Sequence, residues 1–139
     1  MKVLYRTKAT ASGGRAGHVR SDDGALALDL AIPAELGGRG GAANPEQLFA
    51  AGYAACFENA ILHVAARRKL KPSRTQVSAE VGLGQRPDGG FALTVALEAV
   101  LGGLDPDTAR ELVEAAHRTC PYSNAVRGNI DVALTVRVE

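Results

Sequence analysis

The fold is decided by residues 44–71, which read NPEQLFAAGYAACFENAILHVAARRKLK. Asn44 can cap a helix, Pro45 suits the first helical position, and Glu46 complements the positive end of the helix dipole. We therefore predict one helix that ends near Lys69 and is nearly 40 Å long, at about 1.5 Å per residue. Its apolar residues at helical spacing are Leu48, Ala51, Ala55, Ile61, Leu62 and Ala65,. Positive charge follows at the favourable end, in Arg67, Arg68, Lys69 and Lys71,.

Six further segments have the alternation or the neighbouring turn signals of β-strands. They are residues 1–11, 18–21, 25–32, 75–83, 91–101 and 130–138. A shorter helix is predicted over 108–118, because Asp105-Pro106 repeats the capping pattern. The segment 34–43 contains four glycines and is predicted to be a loop,. The order is three strands, a long helix, two strands, a helix and a strand, which predicts an α+β fold with antiparallel pairing.

Length and composition limit the other possibilities. A chain of 139 residues predicts a single domain, 1–139,. The formal charge of +1 gives no long-range field for nucleic acid or an anionic membrane,. No stretch reaches the roughly 18 uninterrupted apolar residues of a membrane helix, and the first residues lack the apolar middle of a signal peptide, so we expect a soluble, cytosolic protein. Because a 40 Å alanine-rich helix is hard to cover in so small a domain, dimerisation is a hypothesis.

Two cysteines are the candidates for chemistry. Cys56 lies on the long helix, and Cys120 follows the second helix, 64 residues later. Cys56 could be a small buried core residue. A static disulfide is disfavoured in a reducing compartment. A zinc site with His18, His63 and His117 is a third possibility, although no CxxC or HxxxH spacing supports it.

A catalytic role would require Cys56 to be a thiolate, although an ordinary cysteine has a pKa near 8.5. The helix dipole acts within about a turn of the helix start, so Cys56 needs a cation instead. Arg15, in a Gly-Gly-Arg-Ala-Gly loop, is the best candidate, and Glu46 could orient its guanidinium through a two-pronged ion pair,. On a straight helix Glu46 and Cys56 would be about 15 Å apart. Either the helix breaks near Gly52, or one residue meets its partner across a dimer interface.

Three segments carry a resemblance to a known family. Residues 14–17 (GRAG), 44–57 (NPEQLFAAGYAACF) and 120–130 (CPYSNAVRGNI) resemble the organic hydroperoxide resistance (Ohr) branch of the Ohr/OsmC family. The resemblance covers essentially the whole chain. The Pro-Tyr-Ser run and the Arg-Gly-Asn-Ile run after Cys120 favour the Ohr branch over the OsmC branch.

The resemblance implies an OsmC-like fold of order βββαββαβ, with antiparallel sheets around a long central helix, in an intertwined homodimer. It implies a peroxidase in which Cys56 attacks the peroxide, Cys120 resolves the sulfenic acid by forming a disulfide, and Arg15 and Glu46 activate the thiolate. Alkyl and fatty-acid hydroperoxides are the expected substrates and a dithiol or lipoylated protein the reductant. No metal, other cofactor, nucleic acid or membrane is expected. Alternatives are an OsmC-type peroxidase of broader range, a non-catalytic redox sensor, or a structural dimer with buried cysteines.

Preference for organic peroxides would follow from an apolar pocket that binds the alkyl group. Membership of the hydrophobic core is an equal alternative for each candidate lining residue. The candidates are Phe49, Phe57, Tyr122, Ile32 and Leu36.

Overall fold

The computed structural model describes all 139 residues, which divide into two compact units, Met1–Leu48 and Phe49–Glu139. Each unit is described by itself. The helix α1 (Pro45–Arg67) begins in the first unit and continues through the second. A single domain over 1–139 stays a prediction.

The first unit contains a three-stranded antiparallel sheet. Its strands are β1 (Ala9–Ser12), β2 (His18–Ser21) and β3 (Ala27–Asp29), in that order across the sheet. The predicted bounds of β2 are confirmed, and the turn after it is closed by the Asp23 carboxylate, which accepts hydrogen bonds from Ser21 Oγ at 2.6 Å and the Ala25 amide at 3.0 Å. This carboxylate satisfies the tight turn, as aspartate commonly does.

Two predictions in this unit are corrected. Residues 1–8 form no strand and are exposed, so the predicted strand 1–11 is wrong over most of its length. Alternation alone does not make a strand without a neighbour to pair with. The third strand is also shorter than the predicted 25–32. Single turns of 3₁₀-helix occur at Gly14–Ala16 and Ala34–Leu36, the second inside the predicted glycine-rich loop.

Helix α1 starts as predicted, because the Asn44 side chain accepts a hydrogen bond from the Gln47 amide at 2.9 Å,. By length and composition alone it could cross a membrane, yet one of its faces lies in the core of the second unit. Of the apolar residues at helical spacing, Ala51, Ala55 and Leu62 are exposed. The face that is buried consists of Tyr53, Phe57, Ala60, Ile61, Val64 and Ala65.

The second unit has a mixed three-stranded sheet in the order β4 (Arg74–Gln85), β5 (Phe91–Gly102) and β6 (Ala133–Val138). The predicted hairpin of β4 and β5 is confirmed, with twelve residue pairs from Arg74↔Gly102 to Gln85↔Phe91. Strand β6 lies parallel to β5, so the expectation of purely antiparallel pairing is wrong for this pair. Intervening helices allow this parallel connection, which a tight hairpin could not make.

Two helices precede β6. Helix α2 (Pro106–Thr119) is the predicted shorter helix, capped by Asp105, whose carboxylate accepts from the Thr108 amide at 3.0 Å. Helix α3 (Pro121–Val126) is not in the predicted order, which becomes βββαββααβ. Six residues are too few to show a helical period, so only Pro121 signalled its start.

The core of the second unit is aliphatic and aromatic. It joins the buried face of α1, the inner face of β5 and the buried side of α2. Two completely buried side chains of this unit are not hydrocarbon: the Cys120 thiol and the Ser123 hydroxyl. The largest fully buried apolar side chains are Tyr53, Phe57, Ile61, Leu97, Leu101, Leu112 and Val113.

Candidate functional site

Cys120 is held at the junction of α2 and α3. It ends α2, where its amide donates to the Ala116 carbonyl at 2.8 Å, and it begins α3, where its carbonyl accepts from the Asn124 amide at 3.0 Å. Its side chain is completely buried, and its thiol is free. The two helices therefore fix the backbone of Cys120 from both sides.

Cys56 lies on α1, is partly buried, and is also a free thiol. Burial raises the pKa of Cys56, the Tyr122 amide opposes this by hydrogen bonding to the sulfur, and the neighbouring Cys120 thiol adds to the rise,. The Cys120 thiol is thus close enough to Cys56 to affect its ionisation. None of these influences on Cys56 is a cation.

Two aromatic residues, Tyr53 and Tyr122, neighbour the cysteines. Phe49, Tyr53 and Tyr122 form a triad with ring centroids 5.6 to 6.2 Å apart. Gly52 makes room for it, since a Cβ there would lie 2.6 Å from the Tyr122 hydroxyl oxygen. The chemical setting of Cys56 is therefore an apolar and aromatic one, with only the Tyr122 amide as a polar neighbour that favours the thiolate.

A polar group that sequence reasoning missed adjoins Cys120. The Ser123 hydroxyl lies 2.8 Å from the Tyr53 hydroxyl and 2.9 Å from His117 Nδ1. His117 was considered only as a metal ligand, and Ser123 only as part of a motif. Spacing gave a usable signal, since Tyr53 precedes Cys56 by three residues and Ser123 follows Cys120 by three.

Arg15 and Glu46 form a two-pronged ion pair within the first unit. Arg15 Nη1 donates to Glu46 Oε2 at 2.8 Å, and Nη2 donates to Oε1 at 2.6 Å. The guanidinium holds the pKa of Glu46 below its ordinary value, and the carboxylate raises the pKa of Arg15. Both groups are therefore charged at neutral pH.

The loop that carries Arg15 depends on its glycines. Gly13 and Gly14 have positive φ angles of 78° and 59°, and a Cβ at Gly17 would lie 1.8 Å from the Ser12 carbonyl oxygen. Arg15 itself lies in the 3₁₀ turn, while Glu46 lies in the first turn of α1. Glycine backbone conformations that other residues rarely adopt therefore shape the loop from which Arg15 contacts Glu46,.

The five predicted pocket residues are divided between the two units, and a pocket that they share stays a prediction. Phe49 and Tyr122 are neighbours beside the cysteines, whereas Phe57 is completely buried and belongs to the core. Ile32 lines a cavity of about 300 Å³ within the first unit, together with Ala16, Leu30, Ala31, Gly38 and Arg39. Leu36 is not among its lining residues and is half exposed, at 51%.

Of the two alternatives for Glu46 and Cys56, a helix break near Gly52 is excluded, because α1 continues through Gly52 without interruption. Gly52 serves the close approach of Tyr122 instead. No group of three His, Cys, Asp or Glu side chains lies together as a metal site would require.

Comparisons with known proteins show the family and the fold of this chain. A family model described as OsmC-like protein matches residues 38–135. The organic hydroperoxide resistance protein of Xanthomonas axonopodis pv. citri is 55% identical over 137 residues, which cover 97% of this chain and 96% of that protein. Organic hydroperoxide resistance protein OhrB of Bacillus subtilis is 48% identical and covers 97% and 99% of the two chains.

A solved structure is similar over nearly the whole length. The crystal structure of an organic hydroperoxide resistance protein from Legionella pneumophila is 58% identical, with a TM-score of 0.96 over 99% of this chain and 100% of that one. These similarities confirm the OsmC-like fold and the family resemblance. The chain belongs to the OsmC-like family, in its organic hydroperoxide resistance branch.

Proposed function

We propose that this protein gives resistance to organic hydroperoxides by reducing them to alcohols at Cys56. The names of its relatives support the class of substrate. The observation that carries the proposal is the free, partly buried Cys56 thiol with the buried Cys120 thiol beside it. An isolated core cysteine would not need a second thiol within reach.

The reaction has two steps in this chain. The Cys56 thiolate attacks the hydroxyl oxygen of the hydroperoxide, the S–O bond forms, the O–O bond breaks, and Cys56 becomes a sulfenic acid. The alkoxide that leaves takes a proton from solvent, equal to the one that the thiol released on ionisation, and becomes the alcohol. The Cys120 sulfur then attacks the Cys56 sulfur, the S–O bond breaks, water leaves, and a disulfide forms. A small dithiol or a lipoylated protein returns both cysteines to thiols by two exchange steps, so that no metal or bound cofactor takes part.

The Arg15–Glu46 pair supplies the missing positive charge in this proposal. Burial raises the pKa of Cys56, so a cation must offset that effect for a thiolate to persist near pH 7,. Glu46 occupies two of the five N–H groups of Arg15, and the remaining three can donate to the thiolate and the peroxide. The same donors would stabilise the alkoxide as the O–O bond breaks.

The pair acts across a homodimer in this proposal. With α1 unbroken, Glu46 and Cys56 are ten residues apart on one helix, about 15 Å along its axis,. The exposed apolar side chains of Val3, Leu4 and Tyr5, on a segment without strand partners, are the kind of surface that a second subunit covers,. Each Cys56 would then be activated by the partner subunit's Arg15.

Substrate preference follows from the aromatic surroundings of Cys56. Phe49 and Tyr122 offer apolar rings to an alkyl chain, whereas hydrogen peroxide has no group to place there. We therefore propose alkyl and fatty-acid hydroperoxides as substrates, in the cytosol, where dithiol reductants are available.

The activity is tested by peroxide consumption with dihydrolipoamide, comparing cumene hydroperoxide with hydrogen peroxide. We expect many turnovers and a faster reaction with the organic peroxide. Mass spectrometry after one equivalent should find a peptide linking Cys56 to Cys120. Consumption of one equivalent of peroxide without further turnover would point instead to a redox sensor. If neither thiol reacts rapidly with the peroxide, the protein is a structural dimer with buried cysteines.

Mixed dimers test whether the site is shared. In the proposal, subunits carrying Cys56→Ser are inactive and subunits carrying Arg15→Ala keep about a hundredth of the activity. When they are unfolded together and refolded, a shared site predicts recovered activity, because one site of each mixed dimer combines an intact Cys56 with an intact Arg15. Activity that stays at the sum of the two separate variants would show that each chain uses its own Arg15.

A further inference from the structure

Ser123 is a completely buried hydroxyl in an otherwise apolar core. Its oxygen lies 2.8 Å from the Tyr53 hydroxyl, also fully buried, and 2.9 Å from His117 Nδ1. A buried hydroxyl without partners would be costly, and here one hydroxyl satisfies two partners from different helices. We call Tyr53, Ser123 and His117 the Ser123 network.

The direction of the hydrogen bonds follows from counting protons. If His117 Nδ1 donated to Ser123, then either the Tyr53 proton or the Ser123 proton would have no acceptor among the three groups. The chain therefore runs from the Tyr53 hydroxyl to Ser123 and from Ser123 to a neutral His117. Burial and the positive charges of Arg127 and Arg118 lower the pKa of His117, which agrees with an unprotonated Nδ1.

The backbone around the network is tied down as well. Arg127 Nη2 donates to the His117 carbonyl at 2.7 Å, and Nη1 donates to the Asn124 side chain. Arg127 ends α3 and His117 lies in the last turn of α2. The bond between these two residues closes the α2–α3 junction in which Cys120 lies.

The positions of the three residues match those of the two cysteines. His117 and Ser123 lie three residues before and three residues after Cys120, and Tyr53 lies three residues before Cys56. One turn of helix therefore separates each cysteine from the network. Through Ser123, the backbone turn that bears Cys120 is bonded to the helix that bears Cys56.

We infer that the Ser123 network holds the two thiols at reacting distance, so that Tyr53, Ser123 and His117 are positioning residues for disulfide formation. The positioning role itself requires only that Cys56 and Cys120 can form a disulfide. Its part in peroxide turnover rests on the proposed function: the network speeds the attack of Cys120 on the Cys56 sulfenic acid, in which the S–S bond forms, the S–O bond breaks and water leaves. It does not touch the peroxide.

The first experiment measures the effective concentration of the two thiols, from disulfide formation in glutathione redox buffers without peroxide. Ser123→Ala removes the central hydroxyl, and Tyr53→Phe removes one bond and keeps the ring. Thr119→Ala is the matched control, because that hydroxyl adjoins Cys120 in sequence but bonds only to the Ala115 carbonyl, at 2.9 Å. Circular dichroism and thermal unfolding check that each variant is folded.

We expect the effective concentration of the two thiols to fall about tenfold in Ser123→Ala and about threefold in Tyr53→Phe. Ser123→Ala loses two buried hydrogen bonds and Tyr53→Phe loses one. Thr119→Ala should stay within about twofold of the unmodified protein. Folded Ser123→Ala and Tyr53→Phe proteins that both match the control would overturn the inference. If Ser123→Ala does not fold, the Tyr53→Phe result alone decides it.

The second experiment follows each step after mixing with cumene hydroperoxide. We expect an unchanged rate constant for Cys56 oxidation in Ser123→Ala, disulfide formation slower by about tenfold, and sulfinic acid on Cys56 at high peroxide. Equal slowing of both steps would indicate general damage and count against a positioning role. If the unmodified protein forms the disulfide in glutathione buffers and consumes no peroxide, the proposed function fails while the positioning role stands.

Discussion

The Arg15–Glu46 pair and the cysteine pair are built on opposite physical principles. The first is ionic, with two charge-assisted hydrogen bonds of 2.6 and 2.8 Å, and the Arg15 side chain is 36% exposed. The second is apolar, with a completely buried Cys120, a partly buried Cys56, and Tyr53 and Tyr122 as aromatic neighbours. The ion pair favours the charged forms of Arg15 and Glu46, whereas burial disfavours the charged form of Cys56.

Under the proposed function, the two regions would have different roles. The apolar setting of Cys56 would bind an alkyl group, and its burial raises the pKa of Cys56, which opposes formation of the nucleophile,. The charged pair can oppose that effect but carries no thiol. Neither region by itself has everything that peroxide reduction requires.

The largest effect should come from the cysteine pair. We expect Cys56→Ser to lower peroxide consumption by about three orders of magnitude or more, because the nucleophile is lost. Cys120→Ser should consume one equivalent and then accumulate sulfinic acid on Cys56. Stopped-flow peroxide consumption and mass spectrometry measure both. Full turnover in Cys56→Ser would remove the cysteine pair from the reaction.

Removal of the charged pair should have the next largest effect. Arg15→Ala is expected to lower kcat/KM by about 100-fold and to raise the pKa of Cys56, because an oriented cation and hydrogen-bond donor is lost. Thiolate absorbance against pH measures the pKa. Arg20→Ala is the matched control, since Arg20 is exposed and lies in the same unit without an ion pair. If the Cys56 pKa is the same in Arg15→Ala and Arg20→Ala, Arg15 does not activate the Cys56 thiol.

A substitution at Gly52 sharpens the comparison from the apolar side. Alanine favours a helix by up to about 1 kcal/mol, but its Cβ would lie 2.6 Å from the Tyr122 hydroxyl. We expect Gly52→Ala to destabilise the protein by about 1 kcal/mol through overpacking. In a Tyr122→Ala background the same change should stabilise it by about 1 kcal/mol. Urea unfolding of the four proteins measures this coupling, and equal effects in both backgrounds would contradict it.

The smallest expected effect concerns stability against pH. The lowered pKa of Glu46 means that its pairing stabilises the protein above the ordinary glutamate pKa, and that this contribution disappears as the pH falls through the lowered value,. Because the pair is partly exposed, Glu46→Gln should cost below about 1 kcal/mol at pH 7. Urea unfolding at pH 7 and at pH 3 should show the difference shrinking at low pH. A difference that grows with acid would contradict this sign.

Most elements follow from local signals, and the exceptions have physical causes. The Asn44 and Asp105 caps start helices as predicted, because capping depends on a few adjacent atoms,. The strand 1–11 fails because its pairing partner is not a local property. Helix α3 is too short to show a period, and the parallel pairing of β6 depends on how two helices return the chain.

The candidate site divides in the same way. Cys56, Cys120, Arg15 and Glu46 were identified from residue types and motifs, because thiols and a guanidinium have distinctive chemistry. Sequence reasoning considered Gly52 only as a possible helix break, whereas the structure shows that it leaves space for Tyr122. The Ser123 network was missed because serine, tyrosine and histidine are ordinary core or surface residues until their partners are known.

The sequence by itself determined the helix caps, the hairpin, the two cysteines and the chemistry open to them, since these depend on nearby residues and intrinsic reactivity. Tertiary structure alone decided that Cys120 is buried beside Cys56 and that Ser123 joins Tyr53 to His117. It also decided that the two-pronged pair forms between Arg15 and Glu46, 31 residues apart. Distances between residues far apart in the chain, and the burial that changes their pKa values, arise only when packing brings distant segments together.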